Sequence, residues 1–374
     1  MDRRTFVKAA GVAGIAGLAG CSGGPSGGST DTETEADSDD GGMETTAAET
    51  TESGPAADIG MVYASGGLGD GSFNDQAQSG AQRAEEELGI SFDEAQPEGT
   101  SEFGTFQQQF AESSDPDYDL VCCIGFLQVD ALTDNAESYP DQDFMIVDET
   151  VDASNVASYT FKEHEGSYLA GLMASLLTTR EFSAGAGSTV SDSTNVGFVG
   201  GIETDLIQRF QAGFEAGVSA GNDDVDVSTS YTGSFTDPAA GREAAAAMYN
   251  SGADIVYHAA GNTGTGVFGA AQEAGRFAIG VDRDQSVTRP SYADVILGSM
   301  TKRVDTAVYD AVEATVDGEF PGGEAVSLGL AEDGVNLVYG DSLGSEIPDE
   351  VADQVATARE DIVAGDISVP MSPQ

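Results

Sequence analysis

Short apolar runs alternate with amphipathic stretches along most of the chain, beginning near Asp58. The runs have strand length, as in Ile255–Ala259, and the stretches between them carry apolar residues at helical spacing, as in Phe73–Leu88. Gly89 follows the latter stretch directly, where glycine commonly ends a helix because it accepts a left-handed backbone. A repeated strand–helix order is typical of parallel sheets covered by helices on both faces.

The pattern predicts an ordered series of elements over the body of the chain. The predicted strands are 59–64, 90–93, 119–124, 144–147, 195–199, 226–231, 255–259 and 278–281; the predicted helices are 73–88, 103–113, 166–179, 207–220, 241–250, 267–274, 304–316 and 349–364.

The series restarts after a stretch rich in glycine and serine at 183–194. We therefore predict an α/β fold with two doubly wound, parallel-sheet lobes joined by a hinge. Lobe 1 is expected to contain residues 58–182 together with about 285–374, because the end of the chain is expected to return to it. Lobe 2 is expected to contain residues 183–284.

The loops that follow the predicted strands are the most distinctive part of the body. In open α/β sheets, ligands bind at the carboxyl ends of the strands, so these loops are expected to hold the functional residues. They are rich in glycine and carboxylates: 66–74, Asp148, 200–201, 233–237, 261–266 and Asp282.

The first residues of the chain have the composition of an export signal. A twin-arginine pair, Arg3–Arg4, precedes an apolar stretch at 9–20 that is too short to span a bilayer. This order of an arginine pair and a short apolar stretch resembles a twin-arginine signal, and the LAGC sequence that ends at Cys21 resembles a lipobox. We expect residues 1–20 to be a lipoprotein signal and Cys21 to carry the lipid, which places the protein on the extracytoplasmic face of the membrane.

Residues 21–57 consist almost entirely of Gly, Ser, Thr, Pro, Ala, Asp and Glu, with no aromatic residue. Such a segment cannot bury enough apolar surface to fold. It is predicted to be a disordered acidic tether between the lipid and the body.

The charge of the chain is extreme. Asp and Glu total 65 against 14 Lys and Arg, a formal net charge of −51. This density would self-repel in dilute buffer, whereas molar salt shortens the Debye length to about 3 Å. We therefore expect a halophilic protein. A cation carrier or a partner of basic proteins is the alternative, but it would cluster its acidic residues. Nucleic acid is excluded as a partner.

Catalytic chemistry has little support in the sequence. The two histidines, His164 and His258, have neither metal-ligand nor triad spacing, and no G-x-S-x-G motif occurs. Cys122 and Cys123 are adjacent in an apolar run, where neighbouring side chains point to opposite faces of a strand, so they are expected to pack in the core. We expect no enzyme activity, cofactor or metal site.

Several segments resemble the basic-membrane-protein family of ABC substrate-binding lipoproteins, the group that includes the purine nucleoside receptor A type. The matching segments are GGLGDGSFNDQAQSGAQRAEEELG (66–89), FKEHEGSYLAG (161–171), NVGFVGGIETDLIQRFQAGFEAG (195–217), GSFTDPAAGREAA (233–245), IGVDRDQS (279–286) and SMTKRVDTAVYDAV (299–312). The resemblance implies a type I periplasmic-binding-protein fold. It also implies a monomeric receptor that captures a nucleoside, expected to be a purine nucleoside, by hinge closure and delivers it to an ABC permease.

The resemblance also implies a ligand site. Phe73 and Phe235 would stack on the two faces of a base, and Asp282 and Lys302 would bind the ribose hydroxyls. The complete implied set is Asp70, Phe73, Asn74, Asp148, Phe235, Gly261, Asp282 and Lys302. In this set Asp70 and Asn74 would contact the base edge, Asp148 would add a polar contact, and Gly261 would bring the backbone close to the ligand.

Other interpretations stay open for the ligand, the activity and the single residues. A sugar ring would suit paired aromatic residues as well as a base does, and a receptor of this kind can present its ligand to a membrane sensor instead of a permease. A nucleoside hydrolase that uses carboxylates alone is a further alternative. Taken singly, Phe73 and Phe235 could be core residues, Asp70 and Asp237 helix N-caps, and Lys302 a salt-bridge partner.

Overall fold

The computed structural model describes residues 54–190 and 193–373. The expected signal at 1–20, the lipidation residue Cys21 and all but the last few residues of the expected tether lie outside the described residues. None of the described helices combines the length and the apolar character that crossing a bilayer requires.

Strands and helices alternate through the described part of the chain. The strands are β1 (Asp58–Val62), β2 (Ser91–Ala95), β3 (Leu120–Cys123), β4 (Asp143–Val147), β5 (Val156–Phe161), β6 (Ser183–Ala184), β7 (Gly187–Ser188), β8 (Asn195–Gly200), β9 (Asp226–Tyr231), β10 (Ile255–Ala259), β11 (Phe277–Asp282), β12 (Ile296–Lys302), β13 (Ala325–Leu328) and β14 (Val335–Tyr339). The helices are α1 (Phe73–Leu88), α2 (Phe103–Ala111), α3 (Val129–Ser138), α4 (Glu163–Thr178), α5 (Asp205–Gly221), α6 (Pro238–Asn250), α7 (Gly264–Ala274), α8 (Gln285–Thr288), α9 (Val304–Val316) and α10 (Asp349–Ala364).

Two six-stranded sheets with the same strand order form the framework. The first has the order β13-β5-β4-β3-β1-β2 and the second has the order β14-β12-β11-β10-β8-β9. Within these two sheets all pairs are parallel except β12 with β14, which is antiparallel; β6 and β7 form a separate antiparallel pair. The predicted fold class, α/β with two parallel-sheet lobes, is confirmed. We call the parts built on the first and second sheets lobe 1 and lobe 2.

The chain crosses between the lobes at three places: after β5, after β12 and between β13 and β14. Helix α9 packs on α1 in lobe 1, whereas α4 packs on α5 and α10 in lobe 2. The expected lobe boundaries are therefore wrong for α4, α8, β12, β14 and α10, all of which belong to lobe 2. Chain order alone does not show which sheet accepts a strand, because that choice depends on pairing between distant residues.

The predicted series lacks helices α3 and α8, the short strands β6 and β7, and strands β5, β12, β13 and β14, of which β5 and β12 are central to the site. Every residue of β12 is buried, and every residue of β5 except Thr160 is buried. Both strands mix serine and threonine with apolar residues, so they show neither the apolar run that identified the equally buried β3 and β10 nor the apolar–polar alternation of a half-buried strand. These two strands matter for the site, because each one ends at a crossover.

Helices α4 and α5 pack unusually closely. A Cβ added at Gly171 would meet the backbone of Phe214 at contact distances that real side chains do not reach, and one at Gly213 or Gly217 would meet the backbone of α4 in the same way. Interiors packed at this density transmit displacement instead of absorbing it. Helix α4 is thus fixed to the rest of lobe 2, and its first residue, Glu163, is held directly after a crossover.

Candidate ligand-binding cleft

A cavity lies between the lobes at the carboxyl ends of both sheets, as expected for an open α/β fold. It contains about 740 Å³ of empty space, a volume that includes open solvent at its mouth. The structure brings all of the predicted site residues to its lining: Asp70, Phe73, Asn74, Asp148, Phe235, Gly261, Asp282 and Lys302.

Two aspartates occupy matching positions in the two lobes. Asp148 directly follows β4, and Asp282 is the last residue of β11, the strand with the same place in the second sheet. Both have a positive φ, 74° for Asp148 and 65° for Asp282. Aspartate tolerates this left-handed conformation better than most residues do. The turn directs each carboxylate into the cleft lining.

Lys302 ends β12 and is 2% exposed. Its Nζ donates to both carboxylate oxygens of Asp148 at 2.7 Å and to Glu163 Oε1 at 3.4 Å. Burial alone would lower the pKa of Lys302, but Asp148 and Glu163 raise it above its usual value. The ammonium group therefore remains charged and is held by two carboxylates, one from each lobe.

Aromatic rings surround the same ammonium group. The ring centroids of Phe73, Phe161 and Phe210 lie 5.1, 5.2 and 5.6 Å from Lys302 Nζ. A cation at this distance from aromatic rings is stabilised by their negative faces. Both interpretations of Lys302 thus have structural support, since it is a salt-bridge partner and a lining residue of the cavity.

Glu163 is a site residue that the sequence reasoning missed. It is fully buried, and its Oε2 has no hydrogen-bond partner among the described residues. Burial raises its pKa to about 7, against the opposing effect of Lys302. The only signal in the sequence is its position as the first residue of α4, within the family segment FKEHEGSYLAG.

Asp282 bonds to the opposite lobe. Ser72 Oγ, just before α1 in lobe 1, donates a hydrogen bond to Asp282 Oδ2 in lobe 2. Burial raises the pKa of Asp282 to about 6, and Lys302 partly offsets this. One carboxylate oxygen thus joins the lobes, and Oδ1 accepts no hydrogen bond from any residue that the structure describes.

Asp70 and Asn74 line the cavity but bond mainly to their own loop. Asp70 accepts from the backbone N–H groups of Ser72 and Asn74 at 2.9 Å and of Asp75 at 3.2 Å. It also accepts from Asn74 Nδ2 at 3.1 Å, and Asn74 Oδ1 accepts from the N–H of Ala64 at 2.9 Å. Asp70 thus caps the N-terminus of α1, the alternative that its sequence position left open.

The capped loop fixes the aromatic side of the cleft. Phe73, the first residue of α1, contributes from lobe 1, and Phe235 contributes from lobe 2. Phe126, which was not predicted, meets Phe235 edge-to-face with centroids 6.3 Å apart and an interplanar angle of 84°. Gly261, with φ of 54°, lies next to the Phe235 backbone. The lobes are therefore in contact across the cleft.

The cavity lining combines aromatic rings with ionic groups, and the ring of Phe73 lies beside the Lys302 ammonium group. Lys302 is the only cation among the residues that line it, and that cation is already held by Asp148 and Glu163. Asp70 and Asp282 add further carboxylates. An anionic ligand would meet unfavourable charge here, whereas an uncharged molecule with a planar apolar part and several hydroxyl donors fits both the aromatic rings and the carboxylates.

Matching sheets, three crossovers and a cavity between the carboxyl ends are the architecture of the periplasmic-binding-protein fold. The model of the Bmp family, described as "ABC transporter substrate-binding protein PnrA-like", matches residues 57–372, and the chain belongs to this family. The expected family is confirmed. The protein is an ABC transporter substrate-binding protein and not an enzyme, a class that binds a small molecule and works with a membrane permease.

Individual relatives agree with this assignment. The chain is 35% identical over 329 residues to the ABC transporter nucleoside-binding protein BmpA of Lactococcus lactis, covering 83% of this chain and 88% of that protein. It is 34% identical over 289 residues to an uncharacterized lipoprotein of Pyrococcus abyssi, covering 74% and 68%. A solved solute-binding protein from Aeropyrum pernix superposes with a TM-score of 0.73 at 30% identity, covering 85% of this chain and 94% of that one.

Proposed function

We propose that the protein captures a nucleoside, preferably a purine nucleoside, and delivers it to its ABC permease as a monomer. The observation that carries the proposal is the combination of aromatic rings and carboxylates in the lining of one cavity. A nucleoside combines the matching groups, a planar base and a hydroxylated sugar. The nucleoside-binding relative from Lactococcus lactis supports the same ligand class.

The base is proposed to lie between Phe73 and Phe235. Stacking of a base on an aromatic side chain is worth about 1–3 kcal/mol in other proteins. Because the two rings belong to different lobes, a base between them would gain both contacts only when the cleft is closed. Ligand binding would then shift the population toward the closed form.

The ribose is proposed to lie beside Asp282 and Lys302. A carboxylate can accept hydrogen bonds from two vicinal hydroxyls, and Asp282 has the oxygen available for this among the described residues. Lys302, whose three N–H groups are directed at Asp148 and Glu163, would contribute its positive charge beside the ribose. Asp70 and Asn74 are proposed to support the base site mainly through the loop that they hold in place.

A sugar receptor is the alternative ligand class, because a pyranose ring also stacks on aromatic faces and presents hydroxyls to carboxylates. A thermal-shift comparison of inosine, guanosine, adenosine, free bases and monosaccharides distinguishes the two classes. The protein should be kept in molar KCl, where the Debye length is about 3 Å. A ligand at 100 times its Kd should add about 2.7 kcal/mol of stability.

A shift with a purine nucleoside that disappears in Phe73→Ala and in Asp282→Ala would support the nucleoside site. A shift with sugars alone would contradict the nucleoside assignment and favour the alternative. Inosine 5′-monophosphate should bind far more weakly than inosine, because no cation in the cavity lining is free to meet its phosphate.

We also propose that a lipid on Cys21 anchors the protein to the extracytoplasmic face of the membrane after twin-arginine export. The lipobox at Cys21 and the lipoprotein relative from Pyrococcus abyssi support this. Cell fractionation tests it, since Cys21→Ala should move the protein from the membrane fraction to the medium. Retention of the variant in the membrane would contradict the anchor.

The final part of the proposal is that this protein is halophilic. The net charge of −51 supports it, because self-repulsion at low salt destabilises the compact state. The unfolding midpoint should rise steeply as KCl increases from dilute buffer to molar concentration. A midpoint that does not depend on salt would contradict a halophilic adaptation.

A further inference from the structure

A short segment of lobe 2 lies over the ligand loop of lobe 1. The segment comprises α8 and Arg289, residues 285–289. Thr288 Oγ1 donates to the carbonyl oxygen of Gly71 at 2.8 Å, and Arg289 Nη2 donates to the carbonyl oxygen of Gly69 at 3.0 Å. Both carbonyls belong to the loop that leads into Phe73, so these bonds join the lobes beside the ligand cavity.

Arg289 is also held within its own lobe. Its Nε lies 3.3 Å from Thr265 Oγ1, and its Nη2 lies 3.5 Å from Asn262 Oδ1. No carboxylate of the described residues lies within ion-pair distance of this guanidinium, in a chain with 65 acidic residues. All its hydrogen-bond acceptors are uncharged, which indicates that geometry and not charge pairing determines its position.

The ligand loop is shaped to receive this arginine. Gly71 has a φ of 59°, and a Cβ at this position would lie 2.6 Å from Arg289 Cζ. On the lobe 1 side, Asp75 accepts from the N–H groups of Gly69 at 2.7 Å and of Gly71 at 2.8 Å. The N–H groups of the loop are thus bonded to lobe 1, and the carbonyls of the same two residues are bonded to lobe 2.

We propose that residues 285–289 form a clasp that keeps the cleft closed, and that Arg289 is a positioning residue that sets how long a bound solute is retained. Arg289 does not line the cavity, so it acts on the ligand only through closure. The clasp joins protein groups alone and therefore favours the closed form with or without solute. Since the clasp must break before the cleft opens, its loss should appear mainly in the dissociation rate.

The kinetic test uses inosine as the probe, and this arm rests on the proposed nucleoside function. In surface plasmon resonance, Arg289→Gln should raise the dissociation rate about tenfold and leave the association rate within about twofold, as expected for loss of hydrogen bonds from a charged donor. The dissociation rate of Arg289→Lys should lie between those of wild type and Arg289→Gln, because lysine keeps the charge but not the planar guanidinium group. Thr288→Val, which removes one bond, should give a smaller increase.

Arg242→Gln is the matched control. Arg242 is also an arginine of lobe 2, but it is 56% exposed and pairs with Glu273 on the outer surface. It should keep wild-type kinetics in both directions. An Arg289→Gln dissociation rate equal to that of the control, or a change confined to the association rate, would overturn the clasp.

A second measurement does not depend on the ligand class. Small-angle X-ray scattering of the solute-free protein should give a larger radius of gyration for Arg289→Gln than for wild type and Arg242→Gln, because the variant populates the open form more. Equal radii would overturn the clasp whichever solute the protein carries. If inosine fails to bind the wild type, the nucleoside proposal fails, and the scattering result still decides on the clasp.

Discussion

The two aspartates at the ends of β4 and β11 hold the same place in matching sheets but have different partners. Both carboxylate oxygens of Asp148 accept from Lys302 at 2.7 Å. Asp282 accepts from Ser72 of the other lobe and has no ion-pair partner among the residues described. A repeated framework therefore supplies two equivalent carboxylates, and the local partners decide that one is part of the structure while the other is available to a ligand.

Removing the cation of Lys302, which Asp148 and Glu163 share, should have the largest effect of the changes that distinguish the two aspartates. Lys302→Met would leave the carboxylates of Asp148 and Glu163 buried without compensation, and we expect a loss of about 3–5 kcal/mol in the free energy of unfolding. Denaturant titration in molar KCl measures it. Lys162→Met is the control: that side chain is 35% exposed with ion pairs of 3.7 Å, so we expect a loss below about 1 kcal/mol. Equal losses of unfolding free energy in the two variants would mean that the buried ion pairs of Lys302 stabilise the fold no more than the exposed ion pairs of Lys162 do.

Substituting each aspartate by asparagine should separate the two roles. Asp282→Asn should weaken nucleoside binding about 100-fold, equivalent to about 2.7 kcal/mol, with little loss of stability. Asp148→Asn should do the reverse, because Lys302 loses a bidentate partner. Calorimetric titration and denaturant unfolding of both variants measure the two effects. If both variants lose affinity and stability equally, the proposed division between them is wrong.

The pH dependence of stability should sharpen the difference further. The pKa of Asp282 is raised to about 6 by burial, so the folded protein binds its proton more tightly than the unfolded chain does. Its contribution to stability is therefore present at low pH and is lost as the pH rises from about 4 through about 6. Relative to wild type, Asp282→Asn should become more stable by up to about 2 kcal/mol between pH 4 and pH 7.

Urea unfolding of wild type and Asp282→Asn across that range measures this change. Glu163 shifts in the same direction, with a pKa of about 7, so its own contribution is lost at slightly higher pH. It is present in both proteins and cancels in the difference to the extent that the two groups act independently. A difference that is constant from pH 4 to pH 7 would contradict the raised pKa of Asp282.

The smallest effect is expected at Ser72. Ser72→Ala removes the hydrogen bond that joins Asp282 to lobe 1, and we expect affinity to fall about fivefold, in line with the net value of one hydrogen bond. Ser91→Ala is the control, since Ser91 Oγ bonds to Asp58 within lobe 1. Calorimetric titration should show unchanged affinity for this control. An increase in affinity for Ser72→Ala would mean that Ser72 competes with the ligand for Asp282.

Local structure was largely predictable from the sequence. Helices α1, α9 and α10 and strands β9 and β10 have the predicted bounds, because amphipathic spacing, strand-length apolar runs and the glycine after α1 are local signals. Lobe membership was not predictable, because β12 and β14 find their sheet through pairing with distant strands.

The same division between local and distant information holds for the site. The family resemblance supplied the residues that line the cavity, but not their partners. Ser72 and Asp282 are 210 positions apart, and Glu163 and Lys302 are 139 apart. No local sequence pattern indicates that either pair of residues meets in the fold. The capping role of Asp70 was recognisable as an alternative because a cap depends only on the next few residues.

The close packing of α4 on α5 limits how this protein can change over generations. Any replacement of Gly171, Gly213 or Gly217 adds at least a Cβ, and at each position that atom would overlap the backbone of the facing helix. Substitutions that change the ligand specificity of the receptor are therefore expected in the loops at the strand ends, and not at the glycines of this helix pair. An engineer who wants a sensor for a new solute has the same freedom and the same boundary.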